Sequence, residues 1–205
     1  MKKSLFLGMA AMAALVFTGC QKDVVLNEVP QDQPIAFGTY LGRDAQTKGV
    51  VLDNATLPTT GFGVFASYTG QSNWNAGVNT INFMNNQKVE GRIDNSTTTW
   101  TYSPLKYWPK TSGDKISFFA YAPHFESSSA ADEPLSIVTT QTGCPKIKYT
   151  VSETISKHKD LVFAPAHFNN SKTTNNGVVN FNFFHALSRV DFKVKSTFDI
   201  QDNEN

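Results

Sequence analysis

The chain has 205 residues, with 18 Lys and Arg against 17 Asp and Glu. A formal charge of +1 lacks the clustered cationic excess that a nucleic-acid partner requires, so no such partner is expected. Charged residues make up only 17% of the chain, and 16 Phe and 13 Gly stand among many Asn, Thr and Ser. That balance fits an extracellular β-rich protein better than a helical cytosolic enzyme. The length allows one domain or two small ones, with a core that needs neither disulfide nor metal.

Lys2 and Lys3 precede an apolar run from Leu5 to Phe17, which ends in Phe17-Thr18-Gly19-Cys20. The run is too short for a membrane span and reads as a signal peptide over residues 1–19. Its end resembles a bacterial lipobox, with Phe17 where Leu is commoner. The resemblance implies cleavage between Gly19 and Cys20, then acylation of Cys20 on its thiol and on its new amino group. Two or more acyl chains anchor a protein stably where one does not. Cleavage removes Lys2 and Lys3 and leaves 16 basic against 17 acidic residues, a charge of −1. Cys144 is then the single remaining thiol, so no disulfide within the chain is expected. It lies between Gly143 and Pro145, a turn setting without the His or Asn pattern of a cysteine protease.

Residues 20–34 are polar with two prolines and read as a tether. Ile35, Phe37, Thr39 and Leu41 then alternate with other residues, which predicts a strand with those four on one face. The following stretch carries Arg43, Asp44, Gln46 and Lys48 between Gly42 and Gly49 and is expected to be an exposed loop. Phe62, Val64, Ala66 and Tyr68 share the face of a second strand. Further strands are expected at Thr98 to Tyr102, Ile116 to Tyr121, Asp160 to Ala166 and Val178 to Phe184. The stretch Ile116 to Tyr121 is apolar on both faces, as in the middle of a sandwich. The clearest alternation is Val190, Phe192 and Val194 against Asp191, Lys193 and Lys195. Connections rich in Asn, Gly, Ser and Pro fall at 70–77, 94–96, 126–134 and 169–177. No helical period exceeds two turns after Cys20. Many short strands with polar turns predict an all-β sandwich or barrel in one domain, residues 35–205.

Nucleotide-binding, P-loop, zinc-protease and nucleophile-elbow patterns are missing from the sequence. His124, His158, His167 and His185 are scattered without metal-ligand spacing, so no metal or cofactor is expected and the four read as turn or surface residues. No enzyme activity is expected. Trp74, Trp100, Tyr102, Tyr107 and Trp108 permit two readings: stacking platforms of a glycan-binding surface lipoprotein, or core anchors, with the core favoured because burial of such rings removes much apolar area from water.

Tyr107-Trp108-Pro109, Lys115 to Pro123, Asp160-Leu161-Val162-Phe163-Ala164 and Val179 to Val194, in that order after the Ile35-Ala36-Phe37-Gly38 strand, resemble the fimbrillin family, the lipoprotein-derived pilins of type V pili. The phrase His185-Ala186-Leu187-Ser188 is its strongest element. The resemblance implies a transthyretin-like β-sandwich of about seven or more strands. It implies a fimbrial subunit that reaches the cell outer membrane as a lipoprotein and supports adhesion, with a host or bacterial surface receptor as a possible partner. It also implies assembly by donor-strand exchange with other pilus subunits: a protease cuts after Arg43 or Lys48, the strand of Ile35, Phe37, Thr39 and Leu41 leaves, and a strand from another subunit takes its place. Arg43 suits an Arg-specific protease. Thr47-Lys48-Gly49 better matches the place where the family shows a Thr-Arg or Thr-Lys pair. The family usually continues into a second sandwich that supplies the donor strand; this chain stops at Asn205, so that second domain is expected to be absent.

Overall fold

The structure is a computed structural model that describes residues 32–42, 52–126, 135–154 and 158–187. Among these residues nine strands and one four-residue α-helix form, with a 3-10 turn at Thr174–Gly177 before the last strand. In chain order they are β1 (Ala36–Leu41), α1 (Leu57–Thr60), β2 (Phe62–Gly70), β3 (Met84–Asp94), β4 (Thr97–Thr101), β5 (Lys115–Ala122), β6 (Leu135–Val138), β7 (Lys146–Tyr149), β8 (Val162–Asn170) and β9 (Val178–His185). Seven of them make one sheet in the order β1-β9-β8-β5-β2-β3-β4, and β6 and β7 pair as a second, two-stranded sheet. The chain is an all-β sandwich.

Sequence period decides which face each strand buries. Phe62, Val64 and Ala66 of β2 and Ile116, Phe118, Ala120 and Ala122 of β5 enter one core with Phe37, Val179, Phe181 and Phe183. Each fully buried Phe contributes roughly 2–3 kcal/mol by removing its ring from water. The other face of the same two strands carries Phe65, Phe119 and Tyr121, which with Leu161 form a second cluster under Ile137, Ile147 and Tyr149 of the β6–β7 hairpin. The β5 run is therefore apolar on both faces because both faces are covered. Tyr68, expected in line with Phe62, Val64 and Ala66, lies past them at 39% exposure, and its phenol donates to Asp114.

The β3–β4 turn follows from its residues. Asn95 and Ser96 adopt φ of 45° and 66°, the left-handed pair that a two-residue hairpin needs. The sheet also curls, so that its two ends meet. Tyr102, just past β4, packs on Phe37 of β1 with ring centroids 5.3 Å apart, and Trp100 packs on Phe62 at 4.9 Å. Val190 to Lys195 and the cysteine at position 20 lie outside the described residues.

Candidate functional site

β1 is an end strand of the large sheet, paired in parallel with β9 from Ala36↔Val178 to Leu41↔Phe183. Ile35, Phe37 and Leu41 are buried at 1%, 6% and 1% exposure, and Thr39 is half-buried. The alternation in the sequence thus becomes a face inserted into the core. Phe37 meets Phe62, Phe118, Phe181 and Tyr102. Gly38 lies opposite Asn180, whose side chain fills the space that a Cβ at position 38 would take.

The backbone of β1 is held on two sides. Ile35 N–H donates to Lys106 O at 2.9 Å, and the Tyr102 hydroxyl donates to Ile35 O at 2.8 Å. Burial pushes the Tyr102 phenol above its ordinary pKa, so it stays protonated and keeps this donor at neutral pH. At the other end Leu41 N–H donates to Asn54 Oδ1 and Asn54 Nδ2–H donates to Leu41 O, each at 2.9 Å. Ile35 and Leu41 thus point their backbone groups away from β9. Backbone direction alternates along a strand, so Ala36, Gly38 and Tyr40 are the residues that face it. Just before Ile35, Gln33 O accepts from Trp108 N at 2.9 Å, and Pro34 bridges to Tyr107.

Asn54 and its partners leave no period in the sequence; the local signal is the Asp53-x-x-Thr56 turn. Asp53 Oδ1 accepts from the Ala55 and Thr56 amides at 2.9 and 2.7 Å, and Thr56 Oγ1 accepts from Asp53 N–H at 2.9 Å. The Thr56 hydroxyl and amide hold the Asp53 carboxyl below its usual pKa. Just ahead, Leu52 N–H donates to Asp160 Oδ2 at 2.9 Å, and Asp160 also meets His185 Nδ1 at 2.9 Å. The fold thus joins Asp160 to His185 across 25 residues, a pair that spacing alone gave no reason to connect.

The remaining expected site residues divide as follows. Gly19, Cys20, Arg43 and Lys48 lie outside the described residues. The described residues nearest Arg43 and Lys48 are Gly42 and Leu52. His124, read as a turn or surface residue, has a side chain only 4% exposed, near Asn86 O at 3.3 Å. His167 stands edge-on to Phe181 at 5.4 Å, and His158 lies near Ser152 O. Cys144 is exposed. Of the five aromatic residues weighed as sugar platforms, Trp108 is buried and donates from Nε1 to Gly177 O at 2.9 Å. Trp100 and Tyr102 pack against the main core, and Trp74 meets Phe119 edge-on and stacks with Phe168. Only Tyr107 stands out, at 45% exposure. The core reading accounts for four of the five.

No curated protein and no solved structure matches the chain. A family model described as fimbrillin-like matches residues 50–204, well over half of the sequence. The match starts beyond Arg43 and Lys48 and leaves β1 outside it. On that match the chain belongs to the fimbrillin-like family, the subunits from which surface fimbriae are built.

Proposed function

We propose that this fimbrial subunit is exported as a lipoprotein, anchored at the outer membrane through Cys20, and assembled by exchange of β1 after cleavage behind Arg43 or Lys48. It serves adhesion as a structural or accessory part of a fimbria, without catalysis. The observation that carries this reading is the setting of β1. Its side chains complete the core, yet among the described residues the strand stands at the end of the sheet with β9 as its one strand neighbour. Arg43 and Lys48 both follow it within seven residues of Leu41.

Departure of β1 would uncover Phe62, Phe118 and Phe181 and leave the edge of β9 unpaired. Bare apolar surface and unpaired backbone are both costly. A strand from another subunit remedies both by β-strand addition, with main-chain bonds supplying affinity and alternate side chains supplying register. The entering strand replaces β1 best if it runs parallel to β9, places apolar residues where Ile35, Phe37 and Leu41 stood, and carries a small residue opposite Asn180.

The test is limited trypsin treatment of the chain, N-terminal sequencing of the product, and titration with a fluorescent peptide copying residues 35–41. A first cut behind Arg43 or Lys48, followed by peptide uptake, is the expected result. A cut protein that takes up no peptide overturns strand exchange. Fatty-acid labelling of wild type and Cys20→Ala tests the anchor, and label retained in the mutant overturns it.

A further inference from the structure

Asn54 matches both backbone groups of one residue with one planar amide. Leu41 N–H donates to Oδ1 and Nδ2–H donates to Leu41 O, each at 2.9 Å. Two residues of an antiparallel sheet exchange the same two bonds. Here a side-chain amide makes, on the side of β1 away from β9, the two bonds that a strand residue would make. The amide is presented by the body of the domain. Asp53 and Thr56 lock the turn around it, Leu52 is buried and tied to Asp160, and Leu57 behind it is buried.

Leu41 and Asn54 lie 13 residues apart, on opposite sides of Arg43 and Lys48. A cut behind either basic residue places them on different polypeptides. The same cut makes the Leu41 end of β1 a chain end, and chain ends are where strands begin to fray. We infer that Asn54 is a strand-retaining latch: it holds β1 in place after cleavage, sets the rate at which the strand leaves, and offers the same amide to the backbone of the strand that enters. The inference rests on the strand-exchange reading above.

The effect of the latch depends on the state of the chain. Before cleavage the connecting residues keep Leu41 beside Asn54 at high effective concentration, so loss of two bonds shifts occupancy little. After cleavage that tether is gone, and two net hydrogen bonds correspond to about tenfold in the lifetime of the bound strand. The Asn54 amide bonds to the backbone of Leu41 and not to its side chain, so these bonds impose no side-chain requirement on the entering strand. Sequence selection is left to the core positions of Ile35, Phe37 and Leu41.

The experiment uses the full chain as wild type, Asn54→Ala, Asn54→Asp and Tyr102→Phe. Each is cut with trypsin and quenched with inhibitor, and loss of the N-terminal fragment is followed by native mass spectrometry with excess peptide copying residues 35–41. The expected result is the same first cut in all four and about tenfold faster loss in Asn54→Ala. Tyr102→Phe should change the rate less, because it removes a bond from Ile35 at the uncut end. Equal rates in Asn54→Ala and wild type, or equal acceleration by Tyr102→Phe, overturn the latch while leaving strand exchange standing. Wild type that is cut but never takes up peptide overturns strand exchange and the latch with it. Should the alanine variant fail to fold, the isosteric Asn54→Asp decides, since it keeps the acceptor for Leu41 N–H and loses the donor to Leu41 O; its loss should also be faster than wild type, and an unchanged rate overturns the latch.

Discussion

Phe37 stacks on Phe181 with ring centroids 5.7 Å apart and planes 22° apart, although the register of β1 and β9 sets Phe37 beside Val179 and Thr39 beside Phe181. The contact is therefore diagonal across the pair, within reach for large aromatic side chains. It makes an end strand the carrier of a ring that four other aromatic residues surround. Phe37→Ala should cost about 3–5 kcal/mol, the usual range for a truncated core Phe. Urea unfolding of the uncut chain measures it. A loss below about 1 kcal/mol would mean that the core closes without β1.

Trp108 fixes the residues ahead of β1 to those ahead of β9. Its Nε1–H reaches Gly177 O at 2.9 Å in a buried setting, while its backbone N–H reaches Gln33 O. Trp108→Phe keeps an aromatic ring but strands the Gly177 carbonyl, which should cost about 1–3 kcal/mol. Thermal unfolding followed by circular dichroism reads the change. An unaltered melting curve would show that water reaches that carbonyl once the indole is gone.

The parts of this fold legible in the sequence are those where burial imposes a period. Ile35, Phe37 and Leu41 announce β1, and the unbroken apolar run of β5 announces a strand covered twice. β3 escapes notice because only Met84 and Val89 of its eleven residues are buried, and Asn86 interrupts it with φ of 51°. Lys146-Ile147-Lys148-Tyr149 alternates, but β6 and β7 span four residues each, too few to stand out. Asn54 is invisible for another reason: a side chain that bonds to backbone leaves no pattern at either position. The Asp160–His185 contact depends on β8 and β9 being neighbours, which spacing does not encode. The alternation at Val190, Phe192 and Val194 lies outside the described residues.

Gly63 lies in β2 against the Tyr121 ring, and a Cβ there would run into that ring and approach Asn86 Oδ1 to 2.7 Å. The Tyr121 hydroxyl donates to the same Asn86 oxygen at 2.8 Å, and burial pushes its pKa up to about 12. Gly63→Ala should thus displace a packed, hydrogen-bonded ring and cost about 1–3 kcal/mol as overpacking. Gly63→Ala with Tyr121→Leu should cost less than the two single changes summed, because the clash is removed. Simple additivity in a double-mutant cycle would count against this contact as the cause.

Acid should weaken the fold through two histidines. Burial lowers the pKa of both His124 and His167 from the ordinary 6.5. For His124 the Asn86 carbonyl and the Glu126 and Glu90 carboxylates oppose this shift, and Lys88 adds to it. As pH falls through about 6.5 the unfolded chain takes up protons that the folded chain refuses. More protons on the unfolded state means that stability falls with falling pH. The contribution is fully present above about pH 6.5 and is lost progressively below it, until the folded histidines protonate as well. The neighbouring carboxylates partly offset the shift at His124, and His167 is half-buried, so each should contribute no more than about 1 kcal/mol across the window. Urea midpoints at pH 7.5, 6 and 5 test this in wild type and in the His124→Gln, His167→Gln double variant. The carboxylates common to both proteins cancel in the difference. The double variant should show a flatter pH dependence between 7.5 and 5. Parallel curves would show that neither histidine is kept neutral by the fold.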